Sequence, residues 1–116
     1  MYQYKAKAER VIDGDTIDVI IDLGFKITTA QRIRLARINT PETYNVKKDT
    51  NEYKDGLAAK QFVEQRLTAN QNLLILETEK VTEKYGRYVG TVFLADSNIS
   101  LNDELVEKGL AFYVEY

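Results

Sequence analysis

The sequence predicts a small, mainly β protein of the α+β class: an OB-fold, five-stranded Greek-key barrel with two helices packed on it. Five segments have the alternating or β-branched composition of strands, and two others carry apolar residues at helical spacing. Their order is three strands, a helix, two strands and a helix. A barrel accommodates that order and removes most of the exposed sheet edges.

The composition is consistent with a single domain covering residues 1–116. Of the 116 residues, 44% are hydrophobic and 29% are charged, which is enough for one core. The absence of cysteine and histidine excludes disulfides, thiolate nucleophiles, imidazole bases and most zinc sites. Acid–base chemistry would therefore depend on Asp, Glu, Lys or Tyr, and a bound metal would be a hard ion such as Ca²⁺ or Mg²⁺.

Neither charge nor hydropathy identifies a partner. The net charge of −2 does not indicate nucleic-acid binding, although residues 26–41 contain four basic side chains and no acidic one. No apolar run approaches the ~20 residues of a membrane span, and no signal-peptide pattern opens the chain. We therefore expect no membrane partner, and the sequence leaves the compartment open.

The first two strands are predicted at residues 2–11 and 17–22. Residues 2–11 alternate between apolar and polar side chains, and residues 17–22 are rich in β-branched residues. Between them, Asp13-Gly14-Asp15-Thr16 is a tight turn by its Asp-Gly dipeptide. A turn is the ordinary role of such a segment, and metal binding by its two carboxylates is the alternative.

A third strand is predicted over residues 26–38, after a glycine turn. Its isoleucine and leucine face one way, and Arg32 and Arg34 face the other. Pro41, the only proline, ends the strand because it cannot donate to a ladder, and Glu42 follows at once. This segment is either an exposed edge strand with solvated arginines or a site that presents an arginine and a carboxylate on a rigid edge.

The second half of the chain is predicted to contain both helices and the last two strands. The expected bounds are a polar loop at 43–54, a helix from about Asp55 to Ala69, a short buried strand at 73–76, a turn at 82–87, a strand at 88–94, and a helix with Ser100 as N-cap and Gly109 as C′ residue.

Several side chains match the requirements of phosphodiester hydrolysis. That reaction needs an oxygen-ligated cation at the phosphate, cationic groups for the developing negative charge, and a base for the attacking water. Asp15, Arg34 with Arg87, and Glu42 would fill these roles in that order. Taken singly, each segment also has an ordinary structural reading as a turn, a strand or a hairpin.

Four motifs occur in order along the chain: Val11–Thr16, Arg34 with Thr40-Pro41-Glu42, Lys84-Tyr85-Gly86-Arg87 and Asn102–Ala111. Together they resemble the staphylococcal nuclease (thermonuclease) family, from about Glu9 to Ala111. The resemblance implies an OB-fold barrel that acts as a Ca²⁺-dependent nuclease on DNA and RNA. It implies water attack on phosphorus, cleavage of the bond to the 5′ oxygen and a 3′-phosphate product.

The resemblance also implies a role for individual residues. It implies one bound Ca²⁺ ion, a monomer, a preference for single-stranded DNA and RNA, and compatibility with secretion. By position, the metal ligands are Asp15, Asn39 and the Thr40 carbonyl, the catalytic residues are Arg34, Glu42 and Arg87, and the substrate-binding residues are Lys84, Tyr85 and Tyr113.

The sequence departs from the family pattern at Asn39, where the family has a second calcium-binding aspartate. An amide oxygen still ligates Ca²⁺, but the missing charge is worth up to ~4 kcal/mol at an effective dielectric constant of about 20. We therefore expect weaker Ca²⁺ binding rather than none. The chain also ends at Tyr116, before a further helix of the family, and Tyr113 matches a family tyrosine only after a shift of two positions.

The leading hypothesis is a nuclease, and the alternatives are binding modules. One is a catalytically weak or inactive nuclease-like barrel that binds nucleic acid or protein, and another is a plain OB-type single-strand binder. The eight tyrosines permit the latter, whereas the net charge of −2 does not favour it. The retained Arg34, Glu42 and Arg87 favour the enzyme, because a binding module has no need of a carboxylate beside the phosphate.

Overall fold

The computed structural model describes residues 2–43, 47–82 and 85–115, which form a closed five-stranded barrel with two helices. The elements are β1 (Tyr2–Asp13), β2 (Thr16–Asp22), β3 (Thr28–Leu35), β4 (Ile38–Asn39), α1 (Asn51–Ala69), β5 (Leu73–Thr82), β6 (Tyr88–Phe93), α2 (Leu101–Glu107) and β7 (Phe112–Tyr113). The barrel order is β1-β2-β3-β6-β5, and β5 pairs back onto β1. All these pairs are antiparallel except β3 with β6, which confirms the predicted mainly β, OB-type fold.

The core lies inside the barrel and beneath both helices. Alternate residues of each strand point inward, so the strands supply a continuous apolar interior. Helix α1 adds its buried Ala59, Val63 and Leu67, and α2 adds Leu101 and Leu105. In the described part of the chain, no helix combines the length and the apolar character that crossing a membrane requires.

The predicted third strand is shorter than residues 26–38. Phe25 and Lys26 have φ of 55° and 62° and belong to the turn between β2 and β3, so the strand begins at Thr28. At its other end, Arg37 has φ of 64°, and this left-handed residue turns the chain from β3 into the separate strand β4. The sequence pattern missed this corner because side-chain alternation continues across it.

Helix α1 begins four residues before the predicted start at Asp55. Thr50 is its N-cap, and the Thr50 side chain accepts a hydrogen bond of 3.2 Å from the Tyr53 backbone N–H. The predicted polar loop therefore contains the first helical turn. That turn has no inward apolar stripe, which is why periodicity did not reveal it.

Strand β5 is longer and less buried than predicted. It extends to Thr82, and only alternate residues reach the core: Leu74 and Leu76 are buried, whereas Leu73 and Ile75 are exposed on the outer face. The prediction of a short buried strand at 73–76 was therefore wrong in length and burial, because this part of the barrel wall faces solvent on one side.

Both predicted caps of α2 are confirmed. The Ser100 side chain accepts a hydrogen bond from the Asp103 N–H at 3.0 Å. Gly109 follows the helix with φ of 72°, and the Leu110 N–H bonds to the Leu105 carbonyl at 2.9 Å, as in a Schellman ending. The chain then forms β7, which pairs with β4 and was not predicted.

Candidate active site at the β2–β3–β4 junction

Asp15 is the centre of the candidate site. It follows the Asp13-Gly14 turn directly before β2 and is 9% exposed. Its Oδ1 accepts a hydrogen bond from Thr16 Oγ1 at 3.1 Å, and its Oδ2 accepts one from the Thr40 backbone N–H at 3.2 Å. These bonds join the start of β2 to the residue after β4, so two predicted metal ligands, Asp15 and Thr40, are in direct contact.

Gly14 allows this turn to approach its neighbours closely. A Cβ atom at this position would lie 2.7 Å from Ala59 Cβ and 3.0 Å from Thr40 Cγ2. Real Cβ atoms essentially never come within 3.0 Å of another heavy atom, so no other residue fits without a shift. The glycine therefore sets the distance between the Asp15 turn, α1 and Thr40.

Arg34 binds the same group of oxygens. One of its terminal nitrogens, Nη2, donates a short hydrogen bond to Asn39 Oδ1 and lies 3.4 Å from Asp15 Oδ2. The other, Nη1, donates to the Leu35 carbonyl at 2.8 Å. The side chain is buried among these partners, so it is not the solvated arginine of an exposed edge strand. The guanidinium is therefore held in one orientation beside two predicted metal ligands.

Arg87 reaches the site from the other side. Its Nη1 donates to Thr16 Oγ1 at 3.3 Å, and the Thr16 hydroxyl in turn donates to Asp15, so Arg87 is linked to Asp15 through one side chain. Tyr85 accompanies it, with the guanidinium carbon 5.4 Å from the ring centroid. Lys84, the third residue predicted in this loop, lies outside the described residues.

Glu42 lies at the solvent-exposed edge of the site, two residues beyond Thr40. The protein still removes part of the water around its carboxyl group, and this desolvation raises the pKa of Glu42. The nearby carboxylates of Asp15 and Asp13 raise the pKa further, against the opposing effect of Arg34. A carboxylate with a raised pKa is a stronger base, which suits the predicted role in activating water.

Two contacts that the sequence did not indicate position the Glu42 segment. Thr43 Oγ1 donates a short hydrogen bond to Asp13 Oδ1, which ties the segment to the turn before β2. On the other side, Gly56 of α1 lies so close that a Cβ atom there would be 2.5 Å from the Pro41 carbonyl oxygen. A glycine inside a helix disfavours the helix, and this was the one signal that could have drawn attention to Gly56.

Asn102 is a further residue that residue-level reasoning missed. It is buried at the start of α2, where its Nδ2 donates to the Ala36 carbonyl at 3.1 Å and to the Gly90 carbonyl at 3.2 Å. Its Oδ1 accepts from the Val92 N–H at 3.1 Å. It therefore fixes α2 and β6 to the corner that leads into β4 and Asn39. A polar residue in the first turn of an otherwise inward-facing helix was the available signal.

Tyr113 lies apart from the charged cluster. Its backbone pairs with Ile38 in the β4–β7 sheet, and its hydroxyl donates to Asp103 Oδ1 at 2.8 Å. This hydrogen bond raises the pKa of the tyrosine above its ordinary value. The side chain is 59% exposed on the surface next to β4. The structure thus brings Asp15, Arg34, Asn39 and Thr40 together and leaves Tyr113 outside their contacts.

The oxygen atoms of the cluster that could ligate a metal suit a hard cation. They are carboxylate, amide and backbone oxygens, as Ca²⁺ prefers, and Thr40 Oγ1 is buried without a hydrogen-bond partner among the described residues. No group of three or more carboxylates that could hold a metal ion occurs within residues 2–43, 47–82 and 85–115. A cation here would therefore depend on few carboxylates and on neutral oxygens.

The charges around these oxygens also suit a cation. Among the described residues, the carboxylates of Asp13, Asp15 and Glu42, with Glu52 acting on Glu42 from α1, outnumber the guanidinium groups of Arg34 and Arg87. A bound phosphodiester would add a further negative charge, which a divalent cation would offset.

Comparison with known proteins identifies the family. The family model for "Staphylococcal nuclease homologue" matches residues 32–116. Endonuclease YhcR of Bacillus subtilis (strain 168) is 30% identical over 112 residues, covering 94% of this chain and 9% of that protein. Micrococcal nuclease of Shigella flexneri is 28% identical over 123 residues, covering 97% of this chain and 60% of that protein.

A third relative is named only as an uncharacterized protein. The uncharacterized protein MJ1439 of Methanocaldococcus jannaschii is 30% identical over 125 residues, covering 93% of this chain and 58% of that protein. The chain thus spans less than two thirds of the length of each of these three relatives. The matches nevertheless cover nearly all of this chain, and the chain belongs to the family of staphylococcal nuclease homologues.

Proposed function

We propose that this chain is a Ca²⁺-dependent nuclease that hydrolyses phosphodiester bonds of DNA and RNA, with single strands preferred. The observation that carries the proposal is the convergence of Asp15, Arg34 and Asn39, with Arg87 linked to Asp15 through Thr16. Two relatives named as nucleases support the same reaction class. The arrangement supplies both signs of charge that phosphodiester hydrolysis uses.

The proposed division of labour follows from each side chain's chemistry. Arg34 and Arg87 bind the phosphate and stabilise the negative charge that develops on it, since guanidinium groups stay charged and grip phosphate oxygens bidentately. Glu42 accepts the proton of a water molecule as that water attacks phosphorus. The bond from phosphorus to the 5′ oxygen breaks, that oxygen leaves as a hydroxyl after taking a proton from solvent, and the phosphate stays on the 3′ side.

One Ca²⁺ ion would be held by Asp15, Asn39 and the Thr40 carbonyl. It would supply further electrostatic stabilisation of the phosphate. Asn39 contributes a neutral amide and no negative charge. We therefore expect cleavage to need a higher Ca²⁺ concentration than it would need with aspartate at this position. Thr16 and the Thr40 N–H hold the Asp15 carboxylate in place for this role.

A second candidate is a nuclease-like module that binds nucleic acid or protein without cleaving it. Asn39 is the observation that favours it, because the site has one fewer carboxylate for a cation. Glu42 argues against it, since its carboxylate would repel a phosphate held by Arg34 unless it served the reaction.

The deciding experiment follows cleavage of single-stranded DNA while Ca²⁺ is titrated against a chelator, beside a separate measurement of binding. The variant Glu42→Gln removes the proposed base, and Glu64→Gln, at an exposed position on α1, is the matched control. We expect cleavage that requires Ca²⁺, falls by about 100-fold or more in Glu42→Gln and is unchanged in Glu64→Gln. Binding without cleavage at every Ca²⁺ concentration would reject the enzyme and support the module.

A further inference from the structure

The turn between β2 and β3 exposes an aromatic side chain in a disfavoured backbone conformation. Phe25 is 97% exposed and has φ of 55°, and its neighbour Lys26 has φ of 62°. Bulky residues seldom adopt positive φ, and a turn of this kind is ordinarily made by Gly, Asn or Asp. Leu23 and Ile27 beside it are also exposed, at 44% and 56%. Three apolar residues at this tip thus leave much of their surface in contact with solvent, which suggests a role in binding.

A shallow apolar cavity adjoins this tip. It has a volume of about 220 Å³ and opens at the end of the barrel, which we call the barrel mouth. Leu23 forms part of its wall, together with Tyr4, Tyr88 and Gln31, and the Gln31 Nε2 donates to Thr29 Oγ1 at 2.9 Å. Drug-sized ligands fill pockets of about 300–1,000 Å³, so this space suits a smaller planar group. Aromatic walls with an amide at the edge are features that a nucleobase can use.

The wall of the barrel mouth includes a residue that adjoins the candidate active site in sequence. Tyr88 directly follows Arg87, which reaches Asp15 through Thr16. Tyr4 stacks on Tyr2, with ring centroids 6.5 Å apart, so aromatic surface also extends along β1. A strand of nucleic acid whose phosphate lies at Arg87 would cross this rim toward the tip.

The distance fits a short oligonucleotide. Strand β2 begins beside Asp15 and ends at the Phe25 turn, and its seven residues span about 20 Å at ~3.3 Å per residue. At about 3.4 Å per nucleotide of stacked strand, this corresponds to roughly six nucleotides, and to fewer if the strand is stretched. Barrels of this type contact about 4–16 nucleotides.

We propose that the barrel mouth and Phe25 form a base-stacking surface that holds single-stranded nucleic acid several nucleotides away from the cleaved phosphate. The inference rests on the proposed function for its ligand class. A membrane is the less favoured ligand, because Lys26 is accompanied by Asp22, which accepts the Gly24 N–H at 2.8 Å. Anchoring at a lipid surface generally combines an apolar group with several basic residues.

The test measures kcat/KM of the parent chain and three variants on single-stranded substrates of two, four, eight and twelve nucleotides. Phe25→Leu keeps an apolar side chain and removes the ring, Phe25→Tyr keeps the ring, and Leu73→Thr removes an exposed apolar side chain elsewhere on the barrel. We expect kcat/KM of the parent chain to rise with length up to about six to eight nucleotides. In Phe25→Leu, kcat/KM should fall by roughly 5- to 150-fold on the twelve-nucleotide substrate and should not change on the two-nucleotide substrate.

The other variants and the salt dependence complete the expected pattern. Phe25→Tyr should behave as the parent, Leu73→Thr should change neither substrate, and denaturant melts should show that all three variants fold. Because stacking releases few counterions, Phe25→Leu should leave the slope of log affinity against log salt unchanged. Affinity is measured by fluorescence anisotropy in the presence of chelator, so this arm does not depend on cleavage.

The outcomes separate the inference from the nuclease proposal. Equal loss on short and long substrates, or no loss on either, overturns the stacking surface while the nuclease stands. If no substrate is cleaved, the nuclease proposal fails and anisotropy alone decides: weaker twelve-nucleotide binding by Phe25→Leu supports stacking, and equal binding overturns it. A fourth variant, Phe25→Asn, checks the membrane alternative after the same denaturant melt. If it fails to bind phosphatidylserine vesicles that the parent chain binds, while Phe25→Leu binds oligonucleotides as the parent does, the tip is assigned to membranes and the stacking surface is overturned.

Discussion

Replacing Gly56 with alanine tests whether α1 positions the proposed base. In an unobstructed helix, the change from Gly to Ala raises the free energy of unfolding by about 1 kcal/mol. Here the new Cβ would lie 2.5 Å from the Pro41 carbonyl oxygen and 2.9 Å from the Glu42 carbonyl oxygen. Because both neighbours are backbone atoms, they cannot move aside by a side-chain rotation. The structure therefore predicts that Gly56→Ala fails to stabilise the protein.

The size of the displacement follows from the same distances. Ordinary contact begins at 3.4 Å, so the Pro41 carbonyl oxygen has to retreat by the difference from 2.5 Å, about 0.9 Å. This movement is transmitted directly to Glu42, the next residue. A misplacement of about 1 Å in a catalytic group costs roughly 100-fold in rate. We therefore expect kcat to fall by about 100-fold, with a smaller change in KM.

The assay combines a denaturant melt with steady-state cleavage of single-stranded DNA. Ala58→Gly, at an exposed position of the same helix, is the matched reverse change. It should lower the free energy of unfolding by about 1 kcal/mol and leave kcat unchanged. If Gly56→Ala instead raised the free energy of unfolding by about 1 kcal/mol with kcat intact, the close approach of α1 to the Glu42 segment would be refuted. The denaturant melt tests the close approach of α1 even if the protein shows no cleavage.

Three further predictions follow from the site and its supports. Asn39→Asp should tighten Ca²⁺ binding in a calorimetric titration, by at most about 4 kcal/mol, and weaker binding would contradict the proposed ligand set. Asn102→Ala removes a hydrogen-bond partner from the Val92 N–H and from the Ala36 carbonyl, so it should lower the free energy of unfolding by about 1–3 kcal/mol in a urea melt. Hydrogen bonding to Arg66 lowers the pKa of Asp96 to about 2, so its stabilising effect is present above the unfolded value of about 3.8 and is lost as the pH falls through about 2. The variant Asp96→Asn should therefore lose less stability than the parent chain as the pH falls from about 3.8 to about 2. Acid unfolding with the same pH dependence in both proteins would contradict this prediction.

Much of the fold was predictable because its determinants are local. Alternation, β-branched composition and short apolar runs located the barrel strands, and the Ser100 and Gly109 caps act within a single turn of helix, so sequence alone reveals them. The corner at Arg37 was not predictable in the same way. A non-glycine residue there adopts φ of 64° because the surrounding structure requires it, including the Asn102 bond to the Ala36 carbonyl. Tertiary contacts determine such a corner, and no local pattern reports it.

The candidate site shows the same division. The polar residues that the sequence marked, such as Asp15 and Arg34, do meet, because β2 and β3 are paired with Thr16 opposite Arg34. Gly56 escaped notice because its importance lies in a close approach to a segment more than ten residues away in sequence. Residue types thus indicated the chemistry, whereas the residues that fix distances became visible only in three dimensions.

Arg34 and a cation at Asp15 would use the same oxygens, and this limits what any change at Asn39 can achieve. In the structure, Arg34 Nη2 is bonded to Asn39 Oδ1 and lies 3.4 Å from Asp15 Oδ2. An added negative charge in Asn39→Asp would attract the cation, but it would also strengthen the hold of the site on Arg34. The two effects oppose each other, so the charge–charge figure of about 4 kcal/mol is an upper bound. A cation that occupied these oxygens would in turn weaken their bonds to Arg34, and the guanidinium would become more available to a phosphate.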